Sequence, residues 1–130
     1  MVRIKRELTR LEKRAKRGHQ GYPLATVAYY GPDGSRASKV AVGIVPDEGE
    51  PAAELERWRS DTTDVRIDPA INEEILQFVK GHQARTVVIS PGLMGCPHEE
   101  GIDYPEGEVC PRCPYWVARD RFSGELLPEQ

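Results

Sequence analysis

All three cysteines of the chain, and one of its three histidines, fall within the segment CPHEEGIDYPEGEVCPRC, residues 96–113. Cys96-Pro-His98 makes one short-spaced pair and Cys110-Pro-Arg-Cys113 a second, with eleven residues between them. Thiolates and imidazole are the donors of tetrahedral structural zinc sites, which often join two such pairs through a loop. Residue types and spacing therefore predict a Cys3His site holding Zn2+ through Cys96, His98, Cys110 and Cys113. Pro111 presets the turn between the last two cysteines, and Pro97 does the same after Cys96. Soft thiolates also suit an iron–sulfur cluster. The plainest alternative is three reduced thiols packed beside a histidine.

Over these eighteen residues the chain resembles zinc ribbons and treble clefs. That resemblance implies a closed ion that holds a loop together. It departs from the zinc-knuckle pattern at Pro114, where a residue carrying an N–H usually follows the last cysteine. A catalytic ion would instead need an open coordination position for water, so one of the four candidates would be a bystander. Glu99 or Glu100 would then act as general base, as in a metal-dependent hydrolase or nuclease. The pieces His98-x-Glu100 and C-x-x-C resemble those of zinc deaminases. Deaminases separate the two by a strand and a helix, whereas here eleven residues with Gly101, Pro105 and Gly107 intervene. The loop also holds Glu99, Glu100, Asp103, Glu106 and Glu108 against Arg112 alone, which makes it a poor phosphate binder. It reads first as a solvated acidic loop around the ion, with a docking surface for a basic partner as the alternative.

A chain of 130 residues, 38% hydrophobic and 30% charged, suits one domain with a modest core that a metal would help to stabilise. No apolar run approaches the ~18 residues a membrane span needs. The start of the sequence lacks the apolar segment of a secretory signal. Three clustered cysteines argue for ligation in a reducing compartment rather than a disulfide framework. The expectation is a soluble, cytoplasmic protein.

The net charge of −3 is unevenly spread: residues 1–18 carry +6 and the remainder −9. Residues 3–17 lack Gly and Pro, and Gly18 is a natural helix stop. This predicts a basic amphipathic helix over 1–18. At ~100° per residue Ile4, Leu8, Leu11 and Ala15 share one stripe, while Arg3, Arg6, Arg10, Lys13 and Arg17 share a second. The second stripe suits nucleic-acid phosphates; a solvated helix face, or a protein partner, is the alternative. Near the other end Tyr115, Trp116, Arg119, Arg121 and Phe122 mix aromatic and cationic groups as single-strand binders do, although aromatics beside a metal loop more often pack it.

Residues 24–30 and 38–45 read as strands, joined by the turn sequence Gly31-Pro-Asp-Gly34 into a hairpin. Val40, Val42 and Ile44 share one face of the second strand. A breaker-rich acidic loop follows at 46–51. Residues 52–59 read as a strand or a short helical turn leading into Val65-Arg-Ile67. Asp68 is a helix N-cap with Pro69 at the first helical position, Glu73 and Glu74 in the first turn, and Gly81 at the end. Ile71, Ile75, Phe78 and Val79 form the buried face. Residues 86–90 are nearly all apolar, which predicts burial on both sides.

Strand 64–67, helix 69–80 and strand 86–90 would together make a βαβ unit, within a hairpin-plus-βαβ core over 24–90. The metal loop starts past the carboxyl end of its last strand, where α/β sites tend to lie. Residues 123–130 read as a frayed tail. The expected fold is α+β, or small α/β: a hairpin-containing sheet, two packed helices and a C-terminal loop stabilised by zinc. The expected role is that of an adaptor or accessory protein.

Overall fold

The computed structural model describes residues 8–108 and 110–116. Two helices and a four-stranded mixed sheet make the fold α+β. The strands are β1 (Leu24–Tyr30), β2 (Lys39–Val45), β3 (Glu54–Arg59) and β4 (Thr86–Leu93), and the helices α1 (Arg10–Lys16) and α2 (Pro69–Gly81). Strand order is β3-β2-β1-β4: the first three pair antiparallel, while β4 runs parallel to β1.

Alternation along the strands divides the sheet into two faces. Ala25, Val27 and Tyr29 of β1, Val40, Val42 and Ile44 of β2, and Val87 of β4 are all buried in one cluster with Leu11 of α1 and Ile71, Ile75, Leu76 and Val79 of α2. Trp58 of β3 reaches that face and meets Phe78 of α2 edge-on, with ring centroids 5.9 Å apart. The opposite face carries Tyr30, Lys39, Ala41, Leu55 and Arg57, in register across β1, β2 and β3.

The hairpin forms as its turn chemistry predicts, and residues 54–59 settle as a strand. Helix α2 begins at its expected cap. One oxygen of Asp68 accepts from the backbone of Ala70 and Ile71 at 3.0 and 3.1 Å. Glu73 and Glu74 lie beyond the first turn, and Glu73 pairs with Arg10 of α1 at 3.2 Å. Leu76 joins the buried face, whereas Phe78 is only half-buried.

Three expectations need correction. The first helix does not run unbroken through 3–17. Thr9 is extended and caps a helix that starts at Arg10, through a reciprocal capping box with Glu12. The sequence Thr-x-x-Glu carries that signal in the middle of an otherwise helical pattern. Residues 1–7, with Ile4, Arg3 and Arg6, lie outside the described residues, as does the 123–130 tail.

Residues 65–67 form a turn, not a strand. The Asp64 carboxylate takes the Arg66 N–H at 3.0 Å and the Arg66 guanidinium at 2.9 and 2.6 Å. A side chain that captures a nearby backbone donor competes with ladder formation. There is accordingly no βαβ unit over 64–90, and the parallel partner of β4 is β1.

Strand β4 is not buried on both sides. It is a sheet edge, and Val88 is 48% exposed while Val87 is 2%. It also runs on to Leu93 by way of an irregularity: Val27 pairs with Ile89 but Tyr29 with Leu93. Pro91 cannot donate to a ladder, so the strand bulges there. The Ser90 hydroxyl takes over, accepting from Tyr29 N at 3.4 Å and donating to Gly92 O at 3.1 Å.

Asp64 also accepts from Ala37 N at 3.3 Å, tying the 60–67 segment to the start of β2. Burial alone would raise its carboxyl, but the Arg66 side chain and the two backbone N–H groups more than offset this and hold it below the ordinary value. Its stabilisation is therefore complete above the ordinary carboxylate range and lost as pH falls through the depressed value. Asp64→Asn is expected to cost about 1.5–3 kcal/mol near neutral pH. In denaturant melts of both proteins that gap should begin to narrow near about pH 4 and close only below the depressed value of Asp64; a gap independent of pH would refute the assignment.

Candidate metal centre

The chain leaves β4 at Leu93 and turns at once onto the end of β1. Met94 N donates to Tyr29 O at 2.7 Å and Gly31 N to Gly95 O at 2.9 Å. The Trp116 indole returns to the same place and donates to Gly31 O at 2.7 Å. Gly31 has to be glycine: a Cβ there would stand 2.0 Å from Arg36 O and 3.0 Å from the Leu93 side chain. Both ends of the loop are thus pinned to one backbone residue, at the carboxyl ends of the parallel pair β1 and β4, where the site was expected.

Within the loop, Asp103 N and Ile102 N donate to Glu99 O at 2.7 and 3.1 Å, and Gly101, at φ +81°, closes the turn. These contacts bring four donors together. The donor atoms of Cys96, His98, Cys110 and Cys113 all lie within 4.8 Å of one another. His98 Nδ1 is 3.3 Å from the Cys110 sulfur and 3.4 Å from that of Cys113. Cys110 and Cys113 are buried, and Cys96 and His98 half-buried. The sulfurs are free thiols, without a disulfide. Burial first, then the Cys96 and Cys110 charges, push the Cys113 thiol up to about 12. Burial likewise raises Cys96. Such a set of close, mutually repelling sulfur donors can hold a metal ion, which replaces their protons.

One supporting residue carries no motif in the sequence. Lys39, at the start of β2, is 2% exposed. Its ammonium donates to Glu99 Oε2 at 2.8 Å and to Pro97 O at 3.1 Å, and it stands 5.3 Å over the Tyr30 ring. Arg57 of β3 grips Glu99 with two bonds of 2.8 Å in a fork, and Arg59 lies 3.6 Å away. Burial works against the Glu99 charge, but Lys39 and Arg57 outweigh it and hold the carboxyl below its ordinary range. A lysine opening a strand looks like a solvent-facing residue. Only the return of the loop over that end of the sheet buries it.

Glu99, one of two candidate bases, is therefore engaged as an anchor. Glu100 lies exposed and forms a bridge with Tyr104. A cleft of about 560 Å³ opens beside the cluster, floored by Tyr30, Lys39 and Ala41 and walled by Arg57, Glu100 and the four donors. Tyr115 and Trp116 pack edge-on at 5.1 Å, and Trp116 leans on the core, which supports the packing reading of these aromatics. Arg119, Arg121 and Phe122 lie outside the described residues. His82 packs on Phe78 and His19 on Tyr22, so both have ring partners away from the cluster.

The basic stripe is partly assembled. Arg10, Lys13 and Arg17 line one cleft of about 240 Å³, and the structure adds Arg14 and Lys80 to them. The first is a neighbour in the helical repeat; the second comes from α2 and could not be found by periodicity within the first helix.

Removing either charge of the Lys39–Glu99 pair has unequal consequences. Glu99→Gln leaves a buried ammonium with neutral acceptors and no counter-charge, and is expected to cost about 3 kcal/mol. Lys39→Met leaves Glu99 to Arg57 and Arg59 and should cost less. Urea unfolding of the two variants measures the order, and an equal or reversed order would contradict the anchoring role.

No helix among the described residues is long and apolar enough to cross a membrane. Comparison with protein families, with curated proteins and with solved structures found no match. The site's own chemistry therefore carries the functional reading.

Proposed function

We propose that the protein is a small zinc-binding module of the cytoplasm, acting as an adaptor or accessory protein rather than as an enzyme, with α1 offered to nucleic acid. The observation that carries this reading is the convergence of four donors, three thiols and an imidazole, on one point. A tetrahedron with legs of about 2.3 Å to sulfur and 2.0–2.1 Å to nitrogen has nitrogen–sulfur edges of roughly 3.5 Å. The two such edges of 3.3 and 3.4 Å around His98 Nδ1 agree with that size. Four donors complete the preferred coordination of zinc and leave it no open position for water. The ion then ties residue 96 to residue 113 and fixes an acidic loop on the sheet end, a structural task.

The same observation weighs against a metal-dependent hydrolase or nuclease. Such an enzyme would give up one of the four donors and use a free carboxylate as base, and Glu99 is held by three cations. Of the two candidate bases, Glu100 would then remain.

The protein is expected to retain about one zinc per chain. Cys110→Ser should lose that zinc and unfold at a markedly lower temperature, and chelation of the unaltered protein should reproduce the loss. A stripped protein that melts unchanged would overturn the structural assignment. Retained fold in Cys110→Ser with loss of a phosphodiesterase activity would establish the hydrolase instead.

A further inference from the structure

The cleft between α1 and α2 is lined by Arg10, Lys13, Arg14, Arg17, Leu76 and Lys80. Its walls are cationic, and its floor is the buried side chain of Leu76. Arg10, Lys13, Arg14 and Arg17 follow the i, i+3, i+4, i+7 spacing that puts them on one face of a helix. Leu76 and Lys80 are one turn apart on the facing helix.

These cations have different duties. Arg14 donates to Ala84 O at 3.0 Å, which fixes α1 to the segment after α2. Arg10 is paired with Glu73. Among the described residues no carboxylate lies within salt-bridge distance of Lys13, Arg17 or Lys80, and all three are exposed. Three such cations thus converge on one cleft, Lys80 standing more than sixty residues along the sequence from Lys13 and Arg17, in a chain whose remaining charge is acidic. Folding has gathered like charges that would be further apart on separate helices. An anion between them offsets that repulsion.

We infer that this inter-helix cleft seats the phosphate backbone of duplex nucleic acid, without sequence preference. The inference rests on the nucleic-acid reading above and moves its site from one helix face to two helices. Arg10 to Arg17 spans about 10 Å of helix, a length of duplex axis over which one strand advances by about three phosphates at about 3.4 Å each. Lys13, Arg17 and Lys80 supply the matching number of unpaired charges. The cleft has no aromatic lining on which unstacked bases could lie, which disfavours single strands. It offers ammonium and guanidinium donors alone, and contacts to phosphate position a duplex but do not read its sequence.

The test uses the full chain with its zinc, and fluorescently labelled duplexes of two unrelated sequences, titrated at several salt concentrations. Equal affinity for both duplexes is expected. Three phosphate contacts give a slope of log K on log salt of about −2.7, so a fourfold rise in salt weakens binding roughly 40-fold. Lys80→Glu and Lys13→Glu should each reduce the steepness by about one unit. Lys16→Glu makes the same change of net charge on α1 outside the cleft lining, and should leave the slope intact.

Circular dichroism and zinc content verify the fold of each variant. If the double variant Lys13→Glu/Lys80→Glu binds like the unaltered protein, the cleft is wrong while the nucleic-acid reading stands. A Lys16→Glu loss as large as that of Lys80→Glu would also overturn the cleft, by assigning binding to overall field. Tighter binding of a single strand would overturn the duplex assignment. Absence of duplex binding at low salt, with capture of polyglutamate instead, would sink both readings in favour of an acidic protein partner.

Discussion

Residues 94–116 contain few large apolar side chains and five acids, so burial of apolar surface, chiefly at Trp116, is not enough to shape them. Their conformation depends on one place, the end of the sheet where β1 hands over to β2. Gly31 binds both the start and the end of the loop there, and Lys39 fixes its middle through Glu99. A buried ammonium is tolerable only with a carboxylate beside it. The Arg57 fork on Glu99 then connects that pair to the edge strand β3. The four metal donors stand on this frame. Their mutual repulsion as thiolates is large, which makes the frame and an ion mutually dependent.

This arrangement separates two kinds of chemistry. The face of the sheet away from the helices receives the acidic metal loop, and the helical side presents the unpaired cations of α1 and α2. The core of Val27, Val40, Val42, Leu11 and Ile75 lies between them. Zinc in the loop and an anion at the helices would each relieve a concentration of like charge that folding creates. The two sites can therefore be perturbed separately.

Much of the fold was legible because local signals agreed with one another. Gly31-Pro-Asp-Gly34 between two β-rich runs specified the hairpin, and Asp68-Pro69 specified the start of α2. The four donors stood out because their types and spacing state coordination chemistry without reference to any fold. What stayed hidden was decided by competition or by distance. Asp64 diverted the Arg66 N–H that a strand over 64–67 would have used. The capping box at Thr9 and Glu12 lay within a stretch whose composition favoured continuous helix. Val88 is as apolar as Val87, and only the strand order reveals that one of them faces outward from an edge. Lys39, Glu99 and Lys80 gained their partners or neighbours through tertiary folding across 40 or more positions, a separation that no periodicity reports.

The central claim is that three sulfurs and one nitrogen close the coordination of a zinc ion. X-ray absorption at the zinc edge of the purified protein tests it most directly. The account predicts a first shell of three sulfurs at about 2.3 Å and one nitrogen at about 2.0 Å, with no oxygen. A shell in which water or carboxylate oxygen replaces a sulfur or the imidazole would contradict it and return the site to hydrolytic chemistry.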